Sequence, residues 1–95
     1  MSPKEFAEYM QRELDENTHK GCWYDWTPTA AQANAELEHH RYKLSCALSV
    51  GTREQVTEFA ADVANIAMKI AELFGELEQD AAAPPETKGS KGASA

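Results

Sequence analysis

Basic residues are scarce in this chain: 9 Lys and Arg stand against 16 Asp and Glu in 95 residues, a formal charge of -7. Binding to nucleic-acid phosphates draws on clustered Lys and Arg, so the balance argues against DNA or RNA as a partner. A phosphorylated small molecule remains compatible if a divalent cation lies between it and the protein. Cysteine is scarce too. Cys22 and Cys46 lie in unlike contexts with no CxxC spacing, which argues against a disulfide framework or zinc knuckle and for two free thiols. No apolar stretch approaches the roughly 20 residues that span a bilayer, and Met1-Ser2-Pro3-Lys4-Glu5 lacks the basic start and apolar run of a signal peptide. A cytoplasmic protein without membrane partners is the expectation. Strand-like alternation and internal repeats are also missing.

What is present is helical. With 42% hydrophobic and 26% charged residues the composition is that of a globular chain. Ser2-Pro3 reads as an N-cap followed by proline at the first helical position, and Phe6, Tyr9, Met10 and Leu14 then repeat at helical spacing to about Asn17. His19 to Trp26 has no period and carries Trp23, Tyr24 and Trp26 around Gly21, as an aromatic loop. Thr27-Pro28 repeats the cap signal, and Thr29 with Gln32 forms a capping box for a second helix running to about Val50, where Gly51 stops it. Thr52 with Gln55 opens a third helix through Val56, Phe59, Val63, Ile66, Ile70, Phe74 and Leu77. Residues 1–80 are thus expected to form one all-α domain of three helices, and the Ala, Pro, Gly, Ser and Lys-rich residues 81–95 a mobile tail. So short a chain buries little core, so the bundle is expected to be completed by a second copy.

Each helical side chain can be given an angle of about 100° per residue and compared with the apolar stripe. In the third helix the stripe centres near Val63 and Ile70, Asp62 borders it, and Glu58, Asn65 and Lys69 lie on the same flank farther out. In the second helix the stripe runs through Ala33, Leu37, Leu44 and Leu48, with His40 inside it, Glu36 at its border and Lys43 just beyond. A short turn at Gly51-Thr52 makes the two helices antiparallel neighbours whose acidic edges line one groove. Carboxylates one turn apart, facing another from a neighbouring helix, suit Mg2+ or Mn2+. Helix-border acids are also commonly just solvated, and His40 on an apolar face also reads as a hydrogen-bonded core histidine. Lys43 and Lys69 suit either phosphate or ion pairs with Glu36 and Asp62, while Trp23 and Trp26 either cap a small core or stack on a base.

The stretch Glu58-Phe59-Ala60-Ala61-Asp62-Val63-Ala64-Asn65-Ile66-Ala67-Met68 resembles the second acidic motif of the MazG-like all-α nucleotide pyrophosphohydrolases, particularly small bacterial and phage members. His19-Lys20-Gly21-Cys22-Trp23 resembles a loop ahead of their first motif helix. Coverage is roughly residues 19–77. The resemblance implies a homodimer or higher assembly of helical bundles that holds Mg2+ and hydrolyses a nucleoside triphosphate to the monophosphate and pyrophosphate. On that pattern Glu58 and Asp62 are metal ligands, Asn65 orients phosphate or ligand, and Trp23 or Trp26 stacks on the base; the groove geometry adds Glu36 as a third metal ligand and a carboxylate or His40 as acceptor of the proton from water.

Two positions depart from the family pattern. Phe59 stands where the second motif has glutamate, and Glu36 and Glu38 are two apart where the first has Glu-x-x-Glu. The departures leave two further expectations open: a nucleotide-binding or sequestering module without turnover, and a small acidic helical interaction protein.

Overall fold

The computed structural model describes residues 1–18, 21 and 23–76. The expected tail at residues 81–95, Leu77 at the end of the third helix, and Cys22 and His19-Lys20 of the loop lie outside the described residues. Three helices follow one another: α1 (Pro3–Glu16), α2 (Ala30–Val50) and α3 (Arg53–Phe74), with a single 3-10 turn at Trp23–Asp25 in the loop between the first two. No strand occurs among the described residues, and no helix there is long and apolar enough to cross a membrane. The all-α bundle read from the spacing is the fold of the protein.

Each helix starts on a reciprocal capping box. Ser2, Thr29 and Thr52 accept from the backbone N–H groups of Glu5, Gln32 and Gln55, whose side chains reach back to the N–H of the cap. Two of the otherwise unpaired donors of each helix end are thereby satisfied within three residues of chain. The Thr27-Pro28 signal is not the cap of α2. Pro28 is buried ahead of the helix, and Thr29 makes the capping bonds.

At the other end of α2 the Gly51 N–H donates to the Ala47 carbonyl at 2.8 Å. A Cβ at position 51 would come within 2.7 Å of the Ala47 Cα, so lack of a side chain is what lets the chain turn there.

Both other helices pack on α3, which lies in the middle. This placement corrects the expected orientation of α3. The residues it buries are Ala61, Asn65, Ile66 and Lys69, whereas Val63 and Ile70 are only half-buried. The polar flank, read as the outer border of the stripe, faces inward because α1 lies against it: the Asn65 amide donates to the Met10 carbonyl of α1 at 3.0 Å. On α2 the buried line runs through Ala33 and Ala47 with His40 between them, each two turns from the next. Leu37 and Leu44 are half-buried, and Leu48, expected in the stripe, is 69% exposed.

Among the described residues, the buried apolar side chains of the helices are three alanines and Ile66, which is a small core. With so little burial, local caps carry a large share of the stability. Thr52→Ala is expected to lower the unfolding free energy by about 1 kcal/mol, as for other Ser or Thr caps. Urea melts followed by the helical circular dichroism signal measure the difference.

Candidate functional site

Turning the polar flank of α3 inward builds a cavity of about 620 Å³ between the three helices and the aromatic loop. Glu58, Asp62 and Asn65 of α3 line it beside Phe59, with Glu36, His40 and Lys43 of α2 opposite and Trp23 and Trp26 along the loop side. The acidic edges of α2 and α3 therefore do share one groove. The size falls within the range of small-molecule sites. Gly21 also lines it and adopts φ +124°, a conformation that side chains with a Cβ rarely take.

One member of the site was not singled out in the sequence. Glu13 of α1 lines the same cavity, is only 7% exposed, and hydrogen-bonds the Asp62 side chain. The signal was available to angle counting, because Glu13 lies two turns beyond Phe6 and one turn beyond Tyr9, inside the stripe of α1. A carboxyl there is costly unless protonated or partnered. Burial first, then the hydrogen bond and charge of Asp62 and the charges of Glu58 and Glu16, push Glu13 from 4.5 up to about 8. At neutral pH Glu13 therefore carries a proton and donates it toward Asp62.

From Asp62 a polar line continues across the cavity. Its Oδ2 lies 4.0 Å from His40 Nδ1, and His40 Nε2 lies 3.5 Å from Glu36 Oε2. Burial holds the imidazole below the ordinary histidine range, although the Asp62 and Glu36 charges pull the other way. His40 is thus a neutral base flanked by two carboxylates, and its Nδ1 has no hydrogen-bond partner. Asn65 is 2% exposed, and with its amide nitrogen fixed on Met10, its Oδ1 is likewise left without a partner. Unsatisfied buried polar atoms are uncommon in folded proteins and mark positions where a ligand atom can bind.

The remaining candidates separate. Lys43 lines the cavity with its Nζ 4.8 Å from the centre of the Phe59 ring. Lys69 is turned elsewhere. Only 3% exposed, it donates to the Trp23 carbonyl at 3.0 Å, sits 5.0 Å from the Trp23 ring centre and lies 3.8 Å from Glu72. It secures the aromatic loop from behind rather than lining the cavity. Trp23 and Trp26 meet at 5.6 Å between ring centres, tilted by 41°. Glu38 is paired with Arg41 at 2.6 Å on the exposed side of α2, and His39 is exposed. Cys46 is a free, exposed thiol.

The donor set suits a hard cation in kind: carboxylate oxygens from Glu13, Glu36, Glu58 and Asp62, with an orphaned amide oxygen at Asn65. In its present arrangement no three His, Cys, Asp or Glu side chains among the described residues are gathered closely enough to hold a metal ion.

The raised Glu13 value gives the protein a pH dependence of definite sign. A carboxyl that binds its proton more tightly in the fold contributes stability fully present below about pH 4.5, and that contribution is lost as pH rises through about 8. Urea melts in the absence of divalent cations are expected to show stability falling across that window. Glu13→Gln, neutral throughout and able to donate to Asp62, is expected to flatten the fall and to raise stability by about 1–3 kcal/mol at the upper end.

Comparison with protein families, with characterised proteins and with solved structures finds no match to this chain, so the chemistry of the site rests on its own geometry.

Proposed function

We propose that the cavity binds a nucleoside triphosphate together with Mg2+ or Mn2+ and hydrolyses it to the monophosphate and pyrophosphate, in the manner of the MazG-like pyrophosphohydrolases that Glu58 to Met68 resembles. The observation that carries the reading is the convergence of Glu36, Glu58, Asp62 and His40 from two helices on one cavity whose loop side carries two indoles. A wall so rich in carboxylates repels a triphosphate unless cations lie between them, which selects for a metal-bound anionic ligand over a bare one. A divalent cation held by Glu36, Glu58 and Asp62 would supply charge neutralisation on the phosphates and a more acidic water.

The chain's own groups have separate roles. Neutral His40 accepts the proton of the attacking water at Nδ1, and Glu36 at Nε2 stabilises the resulting imidazolium. Asn65 Oδ1 orients a donor on the ligand or its water shell. Lys43 meets phosphate from α2, and with Lys69 seated on Trp23, base stacking falls to Trp26. Phe59 beneath Lys43, where the family pattern has a carboxylate, supports a second reading: the same pocket binds and sequesters the nucleotide without turning it over.

The test is Mg-dependent release of pyrophosphate across a panel of common and modified nucleoside triphosphates. Asp62→Asn and His40→Gln are each expected to lower the rate by about 100-fold or more. Calorimetric binding without release would select the sequestering reading, and absence of both binding and release overturns the assignment.

The reading also takes the working unit to be a homodimer or larger. Val50, Leu48, Phe74 and Met68 are exposed on α2 and α3, while the core of one copy is mostly alanine. A second copy covering these faces would supply the missing apolar burial. Sedimentation is expected to give at least twice the chain mass, and Leu48→Glu, harmless to an isolated bundle at so exposed a position, is expected to shift the population toward the monomer.

A further inference from the structure

Among the described residues, two buried side-chain atoms of the cavity wall lack a hydrogen-bond partner, His40 Nδ1 and Asn65 Oδ1. His40 has its place in the proton transfer, whereas Asn65 is fixed before any ligand arrives. Its amide nitrogen donates to the Met10 carbonyl at 3.0 Å, and because a carbonyl can only accept, that bond settles which end of the amide is which. The oxygen is thereby left as a fixed acceptor on a side chain that is nearly inaccessible. Bulk water does not satisfy an atom so enclosed, and an ionised carboxylate offers it no hydrogen.

The place of Asn65 along the cavity decides which part of a ligand meets it. Lys43 of α2 lies over Phe59 and His40 lies beside Asp62, so the two helices run antiparallel and the lysine stands toward the start of α3. Asn65 lies toward the other end, about 10 Å beyond Glu58 at a rise of about 1.5 Å per residue. One turn farther on, Lys69 donates to the Trp23 carbonyl, which also accepts from the Trp26 backbone N–H at 3.2 Å. The amide oxygen thus belongs to the end of the cavity that carries the indoles, and Lys43 to the opposite end.

We propose that Asn65 Oδ1 reads an exocyclic amino group on the base of the bound nucleotide, so that the cavity takes adenine or cytosine in preference to bases with a carbonyl at that position. The inference rests on the nucleotide reading above and deepens it by naming the class of base. An aromatic amine holds its N–H donors in the plane of the ring, so one flat group meets the indole face of Trp26 and the amide acceptor together. A carbonyl in its place brings acceptor against acceptor in an enclosed site, where neither finds another partner. The phosphates extend toward Lys43 and Glu58, away from the indoles. Asn65 therefore selects the ligand and takes no part in the hydrolysis.

Calorimetry on the full chain with Mg2+ and non-hydrolysable triphosphates in two matched pairs, adenosine against inosine and cytidine against uridine, tests the assignment. Within each pair an amino group gives way to a carbonyl on a ring of the same size. The wild type is expected to bind the amino member at least about tenfold more tightly in one pair or both, the scale set by leaving a buried polar group unpaired. Asn65→Ala is expected to abolish that ratio. Both members are measured on the same protein, so a loss of folded fraction common to both cancels from the ratio. Asn65→Gln, which keeps the amide on a longer arm, is expected to diminish the ratio and is read instead if circular dichroism shows Asn65→Ala unfolded. Equal binding within both pairs, tighter binding of the carbonyl member, or an amino preference undiminished in the variant overturns the inference and leaves the proposed function standing. Failure of the wild type to bind any of the four triphosphates overturns both.

Discussion

Two hydrogen bonds from one turn of α3 hold the rest of the molecule in place. Asn65 reaches the carbonyl of Met10 in α1, and Lys69 reaches the carbonyl of Trp23 in the loop. Each joins segments far apart in sequence, and each starts from a buried side chain, where a lost partner would leave a polar group uncompensated. Together they draw α1 and the aromatic loop onto the polar flank of the central helix. The cavity, the inward position of Glu13 and the placing of both tryptophans follow from that choice of flank.

The choice also explains why acidic groups lie where a small helical protein would ordinarily place leucine. A bundle whose helices, among the described residues, bury only three alanines and one isoleucine as apolar side chains has given much of its central volume to polar groups. The cost is held down by the proton that burial and the neighbouring carboxylates keep on Glu13, by burial that keeps His40 neutral, and by contacts that turn Lys43 and Lys69 onto aromatic rings. Such an interior is poorly suited to stability alone and well suited to a charged ligand.

Local features of the fold were legible in the sequence. The boxes at Ser2, Thr29 and Thr52 involve atoms three residues apart, so the sequence spells them directly. The pairing of α2 with α3 follows equally from the short turn at Gly51. The inward side of α3 was harder to read, because two stripes run along it at helical spacing, one apolar through Val63 and Ile70 and one polar through Glu58, Asp62, Asn65 and Lys69. Which is buried depends on where α1 lies, and that is decided by the long-range bond from Asn65. Glu36, His40, Glu58 and Asp62 were identifiable as candidates because they border or enter a stripe on adjacent helices. Glu13 is harder to identify although it lies within the stripe of α1, since its partner Asp62 stands on another helix and is far away in sequence. Lys69 resembled Lys43 on the helical wheel, and only the position of the loop separates their roles.

The three capping boxes bear on how the protein can change over time. A helix whose first turn is closed by its own residues does not depend on the interior to fix where it begins. Substitutions among the sparse apolar contacts can therefore alter how tightly the helices associate without sliding Glu58, Asp62 and Asn65 out of step with one another. In such a chain the spacing of the polar residues is inherited with the helix starts, and the packing around them is free to diverge.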